Sequence, residues 1–173
     1  MIVVFIIALI AAGVIIAFSG DKHDTELEKE AERLDALLDY TREQAELQTR
    51  DYGFSMTSVG YSFVVFDVIA NQWRPIDEDD ALRERTLPEG LRPEVVIEGR
   101  PIVLEARKKE VVDLKPQVMI FANGDLTSFE VALAREGGKE RALLYTDEQS
   151  DIHLLQPGEE APRNLPVRSL GAR

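Results

Sequence analysis

The chain contains no cysteine, which excludes a disulfide framework and any thiolate chemistry, whether redox, metal-binding or nucleophilic. It has two histidines and one tryptophan, so the side chains most often used for general acid–base work are scarce. Positive charge is also short. Lysine and arginine number 20 against 32 carboxylates, a formal net charge of -12 over 173 residues. A surface that tracks nucleic-acid phosphates needs a basic stripe, and this balance disfavours one. Neither internal repeats nor low-complexity stretches occur, and the length suits one ordinary domain with its own apolar core.

The most marked feature present is the start of the chain, Met1-Ile2-Val3-Val4-Phe5-Ile6-Ile7-Ala8-Leu9-Ile10-Ala11-Ala12-Gly13-Val14-Ile15-Ile16-Ala17-Phe18. It has no charge, no proline and no polar stripe. As a helix it would be about 27 Å long, close to the roughly 30 Å hydrocarbon core of a bilayer. A secretory signal would carry basic residues before the run and a small-x-small cleavage site after it; here nothing basic precedes the run, and the chain continues directly into another helical pattern. The segment is therefore expected to be a single-pass membrane anchor. Ala8, Ala11, Ala12, Gly13 and Ala17 would also allow close approach of a second helix. The acidic flank Asp21 to Glu26 puts the following domain outside the cytoplasm.

Ser19-Gly20-Asp21 interrupts the run and is expected to be a soft spot or a new helix start, since glycine inside a helix costs about 1 kcal/mol relative to alanine. Beyond it, Leu27, Ala31, Leu34, Leu38 and Ala45 recur at helical spacing, widened by Leu37, with a charged opposite face. Glu30–Arg33 and Arg42–Glu46 are spaced to pair along that helix.

After Asp51 the pattern turns to strands. Expected strands are Tyr52–Thr57, Tyr61–Ile69, Trp73–Ile76, Arg92–Glu98, Ile102–Leu104, Gln117–Phe121, Phe129–Ala134, Ala142–Tyr145 and Ile152–Leu155. Asn123-Gly124-Asp125 predicts a hairpin between Gln117–Phe121 and Phe129–Ala134, and Gly137-Gly138 predicts another. With no crossover helices between strands, the fold class is α+β: a long N-terminal helix, then an antiparallel sheet. The organisation expected is an anchor over 1–18, an amphipathic helix over 19–51, a β domain over 52–156 and a loose tail over 157–173.

Chemistry-bearing constellations are weak. His23 and His153 have no serine or acid partner at an interpretable local spacing, so no catalytic residue is assigned. Asp77-Glu78-Asp79-Asp80 lacks the spaced ligands and glycine of a calcium loop and reads as a solvated turn, so no metal or cofactor is expected. Trp73 reads as a core or edge packing residue. Arg107-Lys108-Lys109 reads as a solvated loop. The tail carrying Arg163, Arg168 and Arg173 reads as a flexible end with a weak capacity to dock an acidic partner.

Four stretches, taken together, resemble a known family. They are the anchor flowing into Leu27-Glu28-Lys29-Glu30-Ala31-Glu32-Arg33-Leu34-Asp35-Ala36-Leu37-Leu38, then Gly60-Tyr61-Ser62-Phe63-Val64-Val65-Phe66-Asp67 with Trp73-Arg74-Pro75-Ile76, then Leu82 to Leu91 (LRERTLPEGL), then Ile120 to Glu130 (IFANGDLTSFE). In this order and spacing they are similar to the type IV pilin-like superfamily, specifically the minor pseudopilin H (GspH) family of type II secretion systems. The resemblance implies a pilin-like fold and a structural subunit, not an enzyme, held in the bacterial inner membrane with its domain in the periplasm. It implies assembly into a pseudopilus near its tip, with other minor pseudopilins and the major pseudopilin as partners, inner-membrane lipid before assembly, and secreted cargo or the secretin as further contacts. Nucleic acid is not expected. The competing reading, a minor pilin serving DNA uptake or pilus initiation, would rest on the arginine tail Ala161–Arg173. The family's basic leader and its phenylalanine-threonine-leucine-x-glutamate signature are not found, and Met1–Val4 match the residues just after that glutamate. The chain is therefore expected to begin inside the anchor.

Overall fold

In the computed structural model, residues 2–106 and 114–160 are described, with side chains from residue 25 onward. The stripe of Leu27, Ala31, Leu34, Leu37, Leu38 and Ala45 is buried along its whole length, on a single helix α1 (Ile2–Gln48). A new helix start at Ser19-Gly20-Asp21 is not found, because α1 runs through all three residues. One glycine in a long ladder costs far less than leaving a fresh set of helix ends unsatisfied. The helix stops in a Schellman arrangement. The Arg50 N–H donates to the Ala45 carbonyl (3.1 Å) and the Thr49 N–H to the Glu46 carbonyl (3.3 Å), with Thr49 left-handed at φ 53°.

Ten strands follow among the described residues: β1 (Tyr52–Met56), β2 (Gly60–Asp67), β3 (Gln72–Pro75), β4 (Arg85–Thr86), β5 (Leu91–Ile97), β6 (Arg100–Ile102), β7 (Val118–Ile120), β8 (Phe129–Arg135), β9 (Arg141–Thr146) and β10 (Ile152–Leu155). A short 3-10 turn, Asp80–Leu82, lies between β3 and β4. All pairings are antiparallel, as expected for this α+β class, but they form two five-stranded sheets. The first runs β3-β2-β1-β7, with β4 also on β2, and the second runs β10-β9-β8-β5-β6. The helix packs on β1 and β7 of the first sheet and on β8, β9 and β10 of the second. Its apolar stripe thus closes one core with Phe54, Tyr61 and Phe63 on one side and Phe129, Val131, Leu133 and Leu144 on the other. Burying each such leucine stabilises by about 1.5–3 kcal/mol, which is why the helix adheres along its stripe.

The predicted hairpin between β7 and β8 is overturned. The Asn123-Gly124 turn does form, with the Phe121 N–H donating to the Asp125 carbonyl and Gly124 at φ 85°. The ladder stops at one bridge, Ile120↔Leu126. The chain then leaves the first sheet: β7 pairs with β1, while β8 pairs with β5 and β9. Asn-Gly reports a local backbone need. It carries no information about which long-range ladder wins. β2 ends at Asp67, two residues short of expectation, so Val68 and Ile69 sit in a turn and are 77% and 99% exposed. β6 is Arg100–Ile102, displaced toward its turn, where Glu98 and Gly99 both take positive φ (48° and 74°) as a two-residue hairpin requires.

Candidate functional site

The four motif stretches meet along α1. Glu30 lies on the buried stripe, three residues from Leu27 and four from Leu34, and is 2% exposed. Its Oε1 accepts from the Tyr61 hydroxyl (2.8 Å) and its Oε2 from Arg33 Nη1 (2.6 Å). A buried carboxylate is costly unless paired and hydrogen-bonded, and here both oxygens are engaged. Burial first, and the bond to Glu30 second, push the Tyr61 hydroxyl well above the usual phenol range, so it stays a neutral donor. Tyr61 pairs with Arg85 of β4, and the adjacent Gly60 lies against the Arg85 carbonyl so closely that a Cβ there would overlap it. Toward the other end of the helix, Gly124 of the Asn-Gly turn faces the Glu46 carboxylate, where a Cβ would also collide. Gly60 and Gly124 therefore each mark a close approach between segments distant in sequence.

Thr41 is the second polar group on the stripe, and its hydroxyl donates back to the Leu37 carbonyl (2.6 Å). From the sequence, Glu30 is expected in a surface pair with Arg33, and Thr41 carries no expectation. The available signal was a polar residue falling on the apolar stripe, where burial demands a partner.

Beside the last turns of α1, a groove of about 910 Å³ opens between the helix, the β2–β3 hairpin and the loop 76–79. Tyr52, Val65 and Leu82 line it and are buried, and Trp73 lines it half-buried, edge-on to Phe66 at 5.2 Å. Asp79 fastens the acidic loop to the helix: its Oδ2 accepts from the Tyr40 hydroxyl (2.8 Å), and its Oδ1 accepts from the Ala81 N–H (2.8 Å) to cap the 3-10 turn. Asp67 Oδ2 pairs with Arg74 (3.0 Å), while its Oδ1 accepts from the N–H groups of Ile69 and Ala70, both at 2.9 Å. Those bonds, the one from Ala70 foremost and Arg74 after it, hold the Asp67 carboxyl below the usual carboxylate range.

The other expected site residues are dispersed. His153 does acquire an acid partner, against expectation. The β9–β10 turn brings Asp147 Oδ2 to 2.8 Å from its Nε2, and the ring stacks on Tyr145 at 5.2 Å. The hydrogen bond from His153 depresses the Asp147 carboxyl. This pair is a turn fastener on an exposed edge. Among the described residues no three carboxylate or histidine side chains converge as a metal site, and Asp77 to Asp80 stay spread along their loop. Arg107-Lys108-Lys109, the tail Ala161–Arg173, His23 and the side chains of Met1–Phe18 lie outside the described residues. Among the residues whose side chains are described, from 25 onward, no helical stretch is long and apolar enough to cross a membrane.

Comparison with known proteins places these features in context. A family model described as "Type II transport protein GspH" matches residues 30–147, which spans all four convergent motifs except the start of the first. The chain is 30% identical over 147 residues to type II secretion system protein H of Pseudomonas aeruginosa, covering 83% of each. It is 27% identical over 167 residues to the protein of the same name from Aeromonas hydrophila, covering 92% of this chain and 91% of that one. Among solved structures, it is similar to the minor pseudopilin EpsH from the type II secretion system of Vibrio cholerae (TM-score 0.68, 20% identity, 78% of this chain and 99% of that one). It is also similar to the solution structure of Escherichia coli GspH (TM-score 0.60, 20% identity, 81% and 94%). At these identities the two structures speak for the fold.

Proposed function

The chain belongs to the GspH family of type II transport proteins, and we propose from that premise that it works as the minor pseudopilin H of a type II secretion system. It is an assembly subunit rather than a catalyst. Met1–Phe18 holds it in the bacterial inner membrane, with the domain in the periplasm, until it joins a pseudopilus. It sits near the tip and links the tip complex of other minor pseudopilins to the major pseudopilin shaft. Through that link it supports export of folded proteins through the outer-membrane secretin.

One observation carries the reading. A single helix, Ile2–Gln48, has its C-terminal half fastened into both sheets by an apolar stripe and by the buried Glu30–Tyr61 bond. A displacement of such a helix is transmitted to the domain without a hinge. Apolar helices with no polar stripe can leave lipid and bury against one another, and a heterologous contact that does not close produces a helical filament.

Because the chain has no cysteine, single substitutions such as Ala12→Cys give unambiguous crosslinks. In a type II secreting bacterium lacking its own H subunit, the full chain should restore secretion, and on mild oxidation Ala12→Cys should form a disulfide, in the membrane fraction, with cysteines placed in turn along the N-terminal helices of the other pseudopilins. Unrestored secretion together with no crosslink to any pseudopilin overturns the proposal.

A further inference from the structure

The groove beside the C-terminal turns of α1 is not used by the helix seam, and its chemistry selects an occupant. We infer that it receives an extended segment of a partner subunit that carries an arginine or lysine, flanked by apolar residues. The inference rests on reading the chain as an assembly subunit.

Shape comes first. About 910 Å³ is within the range of cavities that enclose a drug-sized ligand, so it accommodates a few side chains of a peptide. Tyr52, Val65 and Leu82 form a buried floor, and one wall is β3, an edge strand of the first sheet that among the described residues pairs with β2 alone.

Charge comes second. Four carboxylates line the groove, Asp67, Asp77, Glu78 and Asp79, against two guanidiniums, Arg50 and Arg74. Arg74 is taken by Asp67, and Asp79 is taken by Tyr40 and the Ala81 N–H. Asp77 and Glu78 are exposed and form no ion pair among the described residues. The Tyr52 hydroxyl at the floor is held above the phenol range, by burial first; Arg50 opposes this, and Asp79 and Glu78 add to it. With the Trp73 ring beside these carboxylates, the groove offers a cation both an aromatic face and anionic partners.

The β2–β3 turn is third. It joins Asp67 and Gln72, which both line the groove, and outside the lining itself it displays Val68 and Ile69, 77% and 99% exposed, on a turn held by the two N–H bonds to Asp67. An ordered turn displaying two large apolar side chains loses little entropy on docking, and it would contact the apolar residues that flank the cation.

The test uses Trp73, the only tryptophan in the chain, as its reporter. The full chain in detergent micelles is titrated with two acetylated, amidated peptides, Val-Arg-Val-Arg-Val and Val-Glu-Val-Glu-Val, while Trp73 emission is followed. The arginine peptide should produce a saturable change that weakens steeply with salt, and the glutamate peptide should not. Glu78→Lys should weaken the arginine peptide about tenfold, and Ile69→Ser several-fold, with the far-UV spectrum of each variant unchanged. Equal response to both peptides, no response to either, or an equal response to free arginine amide overturns the inference. So does an emission change that depends on protein concentration without peptide, which would assign the groove to a second copy of the chain. Each of these results leaves family membership and pseudopilus assembly standing, since those are read by crosslinking and secretion.

Discussion

Tyr61→Phe removes one oxygen from the buried seam and leaves the ring in place. In the wild-type protein that hydroxyl donates to Glu30 Oε1 at 2.8 Å, with Tyr61 2% and Glu30 2% exposed, so water cannot take its place. Hydrogen bonds to charged groups contribute about 1.5–3 kcal/mol, and an orphaned buried acceptor costs a similar amount. A loss of about 2 kcal/mol is therefore expected, which for a chain of this size lowers Tm by roughly 4–8 °C. Glu30→Met should cost about as much, because it orphans the hydroxyl instead and releases Arg33. The double variant replaces the pair with apolar groups of similar shape and should cost clearly less than the two single changes together. The coupling should be about 1–2 kcal/mol, measured as a double-mutant cycle from thermal unfolding of the full chain in detergent micelles, followed by circular dichroism. Additive effects, with coupling below about 0.5 kcal/mol, would refute the idea that this pair fastens the helix to the first sheet.

Thr49 ends α1 in the left-handed region at φ 53°, where a β-branched residue is strained, so Thr49→Gly should raise stability by about 1 kcal/mol, read from the same unfolding transition. Gly60→Ala pushes a methyl into the Arg85 carbonyl and should cost about 2 kcal/mol or more, with loss of the β2–β4 pairing visible as faster amide exchange at Tyr61 and Arg85. Asp35 is raised above its ordinary value of 3.8, by burial first and by Asp39 second. Its charge therefore destabilises the fold above its folded-state pKa, the penalty falls as pH drops through that value, and it vanishes below 3.8. Asp35→Asn should accordingly raise Tm at pH 7 by about 1–2 °C, solvent screening keeping the gain small, and should change nothing at pH 3.

How much of this molecule could be read in advance depended on the range of the interaction. The helix stripe from Leu27 to Ala45 is buried at each position its periodicity marked, and Ile152–Leu155 is a strand with the bounds its alternation suggested. The fastening of the stripe was legible only in outline. Glu30 reads from the sequence as one half of a surface pair with Arg33, and the donor that fixes it in the core, Tyr61, is 31 residues away. His153 and Asp147 are close in sequence, yet only the turn between β9 and β10 aims one at the other. Likewise, nothing local indicates that the Trp73 hairpin, the acidic loop and the end of α1 surround one groove.

Local preference settled what each segment is. The sequence alone determined the long helix and its buried face, the antiparallel strands other than β4 to within two residues at each end, and, through the order and spacing of its four motifs, the family. Tertiary structure decided which strands share a sheet. Asn123-Gly124 demanded a turn, but the ladder beyond it depended on whether β8 could pair more fully with β7 or with β5 and β9. Two strands each offering a long register against β8 outweighed one three-residue neighbour, and the chain divided into two sheets with α1 across both. Turn chemistry acts over four residues. Strand pairing is a competition among all the apolar segments of the chain, and only the assembled core shows which pairing buries the most.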